Sequence, residues 1–326
     1  MHVLICNHAR IPVFAYGGTE RVIWDLGKAL HQLGHRVTYL VPAGSTCPFG
    51  QVLPLQPEAD WSRQIPADVD VVHFQFQPER PETIAKPWLM TQHGNSEVNQ
   101  PLPLNTVFLS DNHARRHGSS VFVHNGLDWS SYGPVNLEHP RDYHHFLGKA
   151  AWRVKNVQGA IDVARQAGRT LKVLGGDRLN FRRGFRFTPW TSIHFYGMVG
   201  GEEKMGLLRD SSGLIFPVRW HEPFGLAIIE SLYFGAPVFA TPYGALPELV
   251  GPDNGVLANS IRELAEGVLH FQPKRRRNHE RAQDLFNALR MARDYLDHYT
   301  EVLNGRDLHG QAPMMQAPAT RLPWLR

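Results

Sequence analysis

The chain has 326 residues, of which 42% are hydrophobic and 20% are charged, the mixture of an ordinary globular protein. At about 150 residues per domain, this length predicts two domains whose cores need no disulfide bonds. The two cysteines exclude a disulfide scaffold and a cysteine-rich zinc site. The formal net charge of +4 favours anionic ligands but is too small to indicate nucleic acid binding.

The apolar segments predict neither a targeting peptide nor a membrane span. Residues 1–6 enter a hydrophobic run directly, without a basic leader. The longest uncharged apolar stretch, 231–247, is interrupted by glycine and proline, so it cannot cross a bilayer as a helix. These features predict a cytoplasmic protein.

In the first half of the chain, short apolar runs alternate with helical patterns, which is typical of a parallel α/β domain. The predicted strands are His2–Asn7, Arg36–Val41, Val69–Phe74, Trp88–Gln92, Thr106–Ser110 and Ser120–His124. The clearest helix is Glu20–Leu33, because its apolar residues recur at helical spacing. We expect Thr19 to cap this helix and Gly34 to end it.

The alternation stops at 130–143, a stretch rich in glycine, proline and polar residues, and then restarts. The predicted strands of the second half are His145–Gly148, Leu171–Gly175, Ser192–Tyr196, Gly213–Pro217, Pro237–Thr241 and Gly255–Leu257. Helices are predicted at Val157–Ala167, Glu202–Ser211, Leu226–Phe234, Ile261–Phe271 and Arg281–Leu303. From Asn304 onwards the sequence predicts a tail without a core face.

These elements predict two doubly wound α/β domains, with a ligand cleft between them at the carboxyl ends of the strands. We expect a first domain at 1–136, a linker at 137–145, a second domain at 146–280, a closing helix at 281–304 and a tail at 305–326.

Two motifs of the first half follow predicted strands. In Tyr16-Gly17-Gly18-Thr19-Glu20, the glycines permit close approach of a ligand and the helix N-terminus favours an anion. The alternative interpretation is a tight turn. His93, in Thr91-Gln92-His93-Gly94, either contacts a ligand or bonds to a loop.

Two glutamates eight positions apart flank a helix start in the second half. Glu222 is on the entering loop and Glu230 is two turns into the helix, up to about 12 Å away. This separation is too large for two carboxylates that share a proton. Backbone amides of Phe224, Gly225 and Leu226 begin the helix and suit an anion. The alternative is an ordinary helix with acids in its first turn.

Three cations, Lys149, Arg153 and Lys155, follow the strand that opens the second domain. On a loop at this edge they suit a diphosphate, although a solvated loop would have the same composition.

Taken in order, these motifs resemble glycosyltransferase family 4, whose members have the GT-B fold. The segment from Glu222-Pro223-Phe224-Gly225-Leu226 to Glu230 is similar to the family's E-x7-E signature and is the most specific match. The other segments that resemble the family are 17–22, 33–37, 70–73, 92–94, 124–128, 146–156, 236–238, 246–250 and 291–299, so the resemblance covers nearly the whole chain.

The resemblance implies a retaining glycosyltransferase with two Rossmann-like domains facing each other across a cleft and a C-terminal helix that crosses back to the first domain. The implied donor is a nucleotide-diphosphate sugar, with UDP preferred over GDP on family frequency. The implied acceptor is a glycan, a lipid-linked molecule or a small molecule, and the short first domain favours a small acceptor or an open groove. No metal or other cofactor is expected.

The resemblance also implies roles for individual residues. Glu222 would hold hydroxyls of the donor sugar, Glu230 would bind the ribose, and His93 would lie beside the reacting sugar. The base would lie near Met198. The groups that would face the phosphates are Gly17, Gly18, Lys149, Arg153 and Lys155.

Lys149 stands where the family usually has arginine, which leaves open how Lys149, Arg153 and Lys155 divide the contacts with the diphosphate. Lysine lacks the planar fork with which arginine binds a phosphate.

Three alternatives remain open at this stage. Asp68-Val69-Asp70 has the letters of a metal-binding DxD motif, although such acids also mark a turn into a strand. A sugar-nucleotide epimerase or hydrolase of the same fold is a second possibility. The third is a non-catalytic anion-binding protein.

The third alternative rests on basic residues at 274–277 and 281, and on arginines 182, 183 and 186 beside phenylalanines 181, 185 and 187. The same residues predict peripheral contact with an anionic membrane, whereas a solvated basic surface is the other interpretation.

Overall fold

The computed structural model describes residues 1–12, 17–180, 186–320 and 322–325 of the chain. These residues form two compact units. The first comprises the N-terminal strand with Gly17–Trp129 and Phe286–Pro318, and the second comprises Ser130–Leu285 and the residues from Ala319 onwards. The segment 137–145, predicted as a linker, thus lies within the second unit and contains the start of a strand.

The first unit is built on a six-stranded parallel sheet of order β3-β2-β1-β4-β5-β6. Its strands are β1 His2–Cys6, β2 Arg36–Val41, β3 Gln51–Pro54, β4 Val71–Phe74, β5 Trp88–Thr91 and β6 Thr106–Val107. Its helices are α1 Gly18–Gln32, α2 Asp111–Arg115 and α9 Ala288–Leu303. The central strand β1 is buried along its whole length, as expected for a parallel sheet covered on both faces.

The second unit repeats this plan with the sheet order β11-β8-β7-β12-β13-β14, again all parallel. Its strands are β7 Tyr143–Leu147, β8 Thr170–Leu174, β11 Ile193–Phe195, β12 Ser211–Phe216, β13 Val238–Ala240 and β14 Gly255–Leu257. Leu179–Asn180 and Arg186–Phe187 pair as a separate antiparallel β9–β10 ribbon. The helices are α3 Val157–Gln166, α4 Gly201–Arg209, α5 Leu226–Tyr233, α6 Leu246–Leu249, α7 Ile261–His270 and α8 Arg275–Leu285.

The predicted return of the C-terminal helix to the first domain is confirmed, because α9 belongs to the first unit and packs against α1, β4 and β5. Two of its tyrosines enter the core. Tyr299 Oη lies 2.8 Å from His73 Nδ1, and Tyr295 Oη lies 2.7 Å from Thr91 Oγ1. The helix begins later than predicted, because the Asn287 side chain caps it and residues 281–285 end α8 instead.

Two further predictions about local structure were wrong. Helix α1 starts at Gly18 after Gly17, which offers no side-chain cap, and Thr19 is a helical residue. The predicted strand Ser120–His124 is reduced to one isolated bridge between Phe122 and Phe108. The edge strand β3 was missed because it is short and largely exposed, without clear alternation.

The prediction of a tail without a core face was also wrong. Met315 and Ala319 are 3% and 5% exposed. Met315 pairs with Val98 of the first unit, and Thr320 pairs with Trp220 of the second. The tail is held by backbone pairing with distant segments, which leaves no periodic apolar pattern in its own sequence.

Within the described part of the chain, no helix combines the length and the apolar run needed to cross a bilayer.

Candidate functional site

In the second unit, the candidate site lies where the winding of the sheet reverses, between β7 and β12. The chain moves from β7 outwards to β8 and β11, and then returns to β12 on the other side of β7. The loops that follow β7 and β12 therefore separate at the carboxyl edge of the sheet and leave a crevice, the usual ligand position in such folds. The first loop carries Lys149, Arg153 and Lys155, and the second carries Glu222.

Glu222 and Lys155, predicted from separate motifs, are brought into direct contact. Lys155 Nζ lies 2.9 Å from Oε1 and 2.7 Å from Oε2 of Glu222. The side chains of Lys155 and Glu222 are 12% and 10% exposed, and the whole Glu222 residue, with its backbone, is 8% exposed. Because both charges are largely removed from water, removing either one would leave the other poorly compensated.

Trp220 completes this pair and was missed by the sequence analysis. Its indole Nε1 donates to Glu222 Oε2 at 2.6 Å, and Lys155 Nζ lies 4.8 Å from the centre of its ring. The indole thus fixes the direction of the carboxylate and places a cation–π contact on the ammonium group. The sequence did contain a signal for this contact. Trp220 is two positions before Glu222, and residues two apart in an extended loop face the same side.

The loop that carries Glu222 is supported on one side by Gly244 and Ala245. Glu222 and Gly244 form a parallel bridge, and Ala245 N donates to Glu222 O at 2.9 Å. A Cβ at position 244 would lie 2.2 Å from Glu222 N, and the φ of Gly244 is +67°. Only glycine combines this backbone conformation with such close approach.

Asn156 connects the loop after β7 with the loop after β12. Its side chain caps α3 by accepting from Gly159 N at 3.2 Å, and its Nδ2 donates to Pro217 O at 2.8 Å. Asn156 has a φ of +52°, and this backbone turn ends the short helical turn Arg153–Lys155. Arg153 is exposed on that turn, and Lys149 Nζ lies 5.0 Å from the Trp152 ring.

Helix α5 begins at the same edge, as predicted. Phe224 is buried, Gly225 has a φ of +115°, and Leu226 is the first helical residue. The amides of a first helical turn have no acceptor within the helix, so the start of α5 presents donors next to Glu222. Met198, expected near the base, follows β11 at this edge and is 48% exposed.

Glu230 is buried deeper than Glu222. The residue is 1% exposed, and its Oε1 accepts hydrogen bonds from Lys204 Nζ and Tyr132 Oη, each at 2.6 Å. Lys204, on α4, is 6% exposed. These two partners were missed, although an ionisable residue on the apolar side of α4, one turn before Leu208, is a signal that a carboxylate lies nearby.

Gly17, Gly18 and His93, also predicted as site residues, belong to the first unit, and Tyr16 lies outside the described residues. Gly17 and Gly18 stand at the start of α1. His93 follows β5, and its Nε2 donates to Gln75 Oε1 at 2.8 Å. Burial lowers the pKa of His93 to about 4, so its imidazole is neutral at pH 7.

The two aspartates of Asp68-Val69-Asp70 lie at the amino end of β4, opposite the edge where ligands bind. Asp70 Oδ2 accepts from His2 N at 2.7 Å, and Asp68 pairs with Arg36. The hydrogen bond from Arg36 lowers the pKa of the Asp68 carboxyl. Across the described ranges, no group of three or more histidine, cysteine, aspartate or glutamate side chains is placed to hold a metal ion.

Three basic residues at the start of α8, Lys274, Arg275 and Arg277, are engaged within the second unit. Lys274 and Arg277 pair with the two oxygens of Asp253 at 2.5 and 2.8 Å, and Arg275 donates to two backbone carbonyls. The arginines at 182 and 183 lie outside the described residues.

Comparison with known proteins shows what the second unit is similar to. Residues 139–272 match the family model described as Glycosyl transferases group 1. An uncharacterized 41.2 kDa protein of the cps region of Klebsiella pneumoniae is 29% identical over 116 residues. That alignment covers 33% of this chain and 32% of the Klebsiella protein, so this chain spans about a third of the length of that relative.

Solved structures resemble nearly the whole chain. AviGT4, a glycosyltransferase involved in avilamycin A biosynthesis, matches over 93% of this chain and 98% of its own, with a TM-score of 0.76 and 20% identity. Anabaena Alr3699/HepE, in complex with UDP-glucose, matches over 92% and 100%, with a TM-score of 0.67 and 15% identity. These likenesses confirm the predicted GT-B fold. Residues 139–272 thus match the Glycosyl transferases group 1 family model, within a chain that has the GT-B fold.

Proposed function

We propose that the protein is a retaining glycosyltransferase that uses a nucleotide-diphosphate sugar, with UDP as the preferred nucleotide. The observation that carries the proposal is the buried contact between Lys155 and Glu222 beside the start of α5. A cation, a carboxylate and a set of helix amides meet there within one crevice. This combination suits a ligand with a diphosphate and a hydroxyl-bearing sugar.

In the proposed reaction, the bond between the anomeric carbon and the β-phosphate oxygen breaks, and a bond from that carbon to the acceptor oxygen forms on the same face. The acceptor proton passes to the leaving phosphate. Lys155, with Lys149 and Arg153, would neutralise the charge that develops on the diphosphate. Glu222 would orient the sugar by accepting hydrogen bonds from its hydroxyls. In the first unit, neutral His93 would bind a sugar hydroxyl.

The ribose is proposed to bind at Glu230. Because Lys204 and Tyr132 already donate to Oε1, the ribose hydroxyls would join or replace donors at a preformed, charge-compensated carboxylate. UDP as the nucleotide is supported by the complex of Alr3699/HepE with UDP-glucose, which has the same fold. We propose that no metal takes part, because Lys149, Arg153, Lys155 and the α5 amides would compensate the charge of the diphosphate.

The acceptor is proposed to be a glycan, a lipid-linked molecule or a small molecule, reached from the cytoplasm. The similar Klebsiella protein comes from a cps region, which is consistent with a carbohydrate acceptor. Contact with an anionic membrane would need basic residues other than Lys274 and Arg277, because Asp253 engages both.

The proposal is tested by thermal unfolding with UDP, GDP, ADP and their sugar conjugates, in buffer that contains EDTA. A ligand at about 100 times its Kd adds roughly 2.7 kcal/mol to the unfolding free energy. We expect a rise in Tm with the UDP series. No rise with any nucleotide series in folded protein would contradict the proposal.

Product analysis then separates transfer from the alternative enzyme activities. Incubation with the bound nucleotide sugar and a panel of acceptors should yield UDP and a glycosylated acceptor. A new nucleotide sugar, or free sugar without a glycosylated product, would indicate an epimerase or a hydrolase instead.

A further inference from the structure

The end of the tail pairs with the loop that carries Glu222. We call this part the tail segment, defined as Ala319, Thr320 and residues 322–325, all within the second unit. His221 N donates to Ala319 O at 2.7 Å, and Leu322 N donates to Arg219 O at 3.2 Å. Thr320 forms an antiparallel bridge with Trp220. Ala319, Thr320 and Leu322 therefore pair with residues 219–221 through their backbones.

Further bonds, most of them from outside the loop, anchor the tail segment. Tyr243 Oη donates to Pro323 O at 2.7 Å, and Arg219 Nε donates to Leu322 O at 3.1 Å. Leu325 N donates to Asn259 O at 2.8 Å, and Ile261 N donates to Leu325 O at 3.0 Å. The segment is thus attached at both ends, beside β14 and beside the loop.

The tail segment is thus one of several attachments of the loop, and Arg219 N also donates to Val154 O at 2.7 Å. Gly244 and Ala245 bond to Glu222 on one side, and the tail segment bonds to its neighbours on the other. Trp220, which bridges to Thr320, places its indole on Glu222 Oε2 at 2.6 Å and over the Lys155 ammonium group. A short series of contacts therefore leads from the tail segment through Trp220 to the carboxylate.

We propose that the tail segment is a positioning element for Trp220 and Glu222, required for turnover rather than for nucleotide binding. This inference rests on the proposed function. A carboxylate that orients a reacting sugar must be held within about 0.5 Å of its productive position. Without the tail segment, the loop would keep its bonds to Gly244, Ala245 and Val154 but would lose those of the His221 amide and the Arg219 carbonyl on either side of Trp220, and with them the fixed direction of the indole. The bonds given for the tail segment lead to residues 219–221, Tyr243, Asn259 and Ile261, none of which is proposed to bind the nucleotide, so nucleotide affinity should persist.

The test compares two substitutions at one half-buried position. Leu322→Pro removes the amide that donates to Arg219 O, whereas Leu322→Ala keeps that amide. We expect Leu322→Pro to lower kcat by about tenfold or more while the Kd of UDP changes by less than about threefold. Leu322→Ala should keep kcat near the wild-type value. Equal kcat in wild type and Leu322→Pro would overturn the inference, as would equal losses in both variants.

Hydrogen exchange gives a second readout that does not depend on activity. A peptide covering residues 217–224 should exchange faster in Leu322→Pro and in a chain ending at Pro318, while peptides from 264–270 of α7, beyond the contact with Leu325, keep their protection. Unchanged exchange in both would overturn the inference.

Tyr243→Phe is a milder variant that removes one bond to Pro323 and keeps the aromatic ring. It should give a smaller effect in the same direction if the other variants fail to fold, and wild-type kcat and exchange in Tyr243→Phe would then count against the inference. If wild-type protein binds no nucleotide at all, the proposed function fails, whereas the exchange result still reports on the tail segment.

Discussion

At the scale of single residues, the two glutamates of the candidate site differ in the donors that hold them. Glu222 is bonded by a lysine and an indole near the mouth of the crevice, and Glu230 by a lysine and a phenol beneath it. The Glu222 residue is 8% exposed and the Glu230 residue 1% exposed. A carboxylate that is almost fully buried depends on its partners for charge compensation.

Glu222→Gln should lower kcat by at least about 100-fold, because the amide keeps the shape but loses the charge that accepts from the sugar hydroxyls and from Lys155. The Kd of UDP should change little, and circular dichroism should show an unchanged fold. Glu266→Gln, at an exposed position on α7, is the matched control with wild-type kcat. A Glu222→Gln enzyme with near-normal turnover would show that Glu222 does not orient the donor.

Lys204→Met should destabilise the protein by about 3–5 kcal/mol, since it leaves the Glu230 carboxylate buried without its cation. The double variant Lys204→Met, Glu230→Gln should recover much of that loss, because no uncompensated charge remains. Urea unfolding of the two variants measures the difference.

If Glu230 binds the ribose, the double variant should bind UDP more weakly than the wild type does, even though its stability has recovered. Wild-type UDP affinity in the folded double variant would mean that the pair has only a structural role.

At the scale of secondary-structure elements, the site depends on how loops are joined at the carboxyl edge of the sheet. Asn156 ties the loop after β7 to the loop after β12, and Gly244 ties the latter to the loop after β13. The elements themselves are ordinary parallel strands and amphipathic helices. The bonds between their loops determine which side chains meet.

Gly244→Ala should lower both stability and kcat, because the new Cβ would collide with the Glu222 backbone at 2.2 Å and position 244 has a positive φ. Gly206→Ala on α4 is the matched control. A Cβ there meets no atom within 4 Å, so it should be neutral or stabilising by up to about 1 kcal/mol. Thermal unfolding and kcat check both variants, and equal behaviour of the two would contradict this account of the loop.

At the scale of the whole molecule, buried histidines make stability depend on pH. Among the described residues, burial lowers the pKa of His113 and His145 to about 3, and of His93 and His144 to about 4. The pKa of His73 is also well below its ordinary value because the side chain is buried. In the unfolded chain these imidazoles regain a pKa of about 6.5.

We therefore expect the free energy of unfolding to fall as the pH is lowered from 7.5 to 5.5. The unfolded chain binds more protons below pH 6.5, so each histidine contributes stability that is complete above that pH and is lost towards its folded pKa. Each loss amounts to about 1.4 kcal/mol per pH unit.

One buried carboxyl acts in the opposite direction. Burial raises the pKa of Asp25 to about 7. The contribution of Asp25 to the free energy of unfolding therefore falls as the pH rises from about 4 to 7. Five histidines outweigh it. Tm measured at pH 7.5 and 5.5 tests the sum, and His144→Gln should reduce the difference. An equal or higher Tm at pH 5.5 would show that these histidines are accessible to protons in the folded state.

The sequence alone determined the α/β fold, most strand and helix positions, and the loops that carry the candidate site. These properties follow from local patterns, namely apolar periodicity, glycine before a helix, and polar residues after a buried strand. The motif from Glu222 to Glu230 could be recognised from the sequence because both glutamates and the helix start lie within nine residues.

Only the tertiary structure decided which groups touch those residues. Lys204 and Tyr132 meet Glu230 from 26 and 98 positions away along the chain, and Ala319 meets His221 after the chain has passed through residues 286–318 of the first unit. Such contacts leave no periodic signal, because they depend on sheet order and loop path. The sequence thus determined which loops carry the candidate site. The fold determined which partners compensate and hold each of its charged side chains.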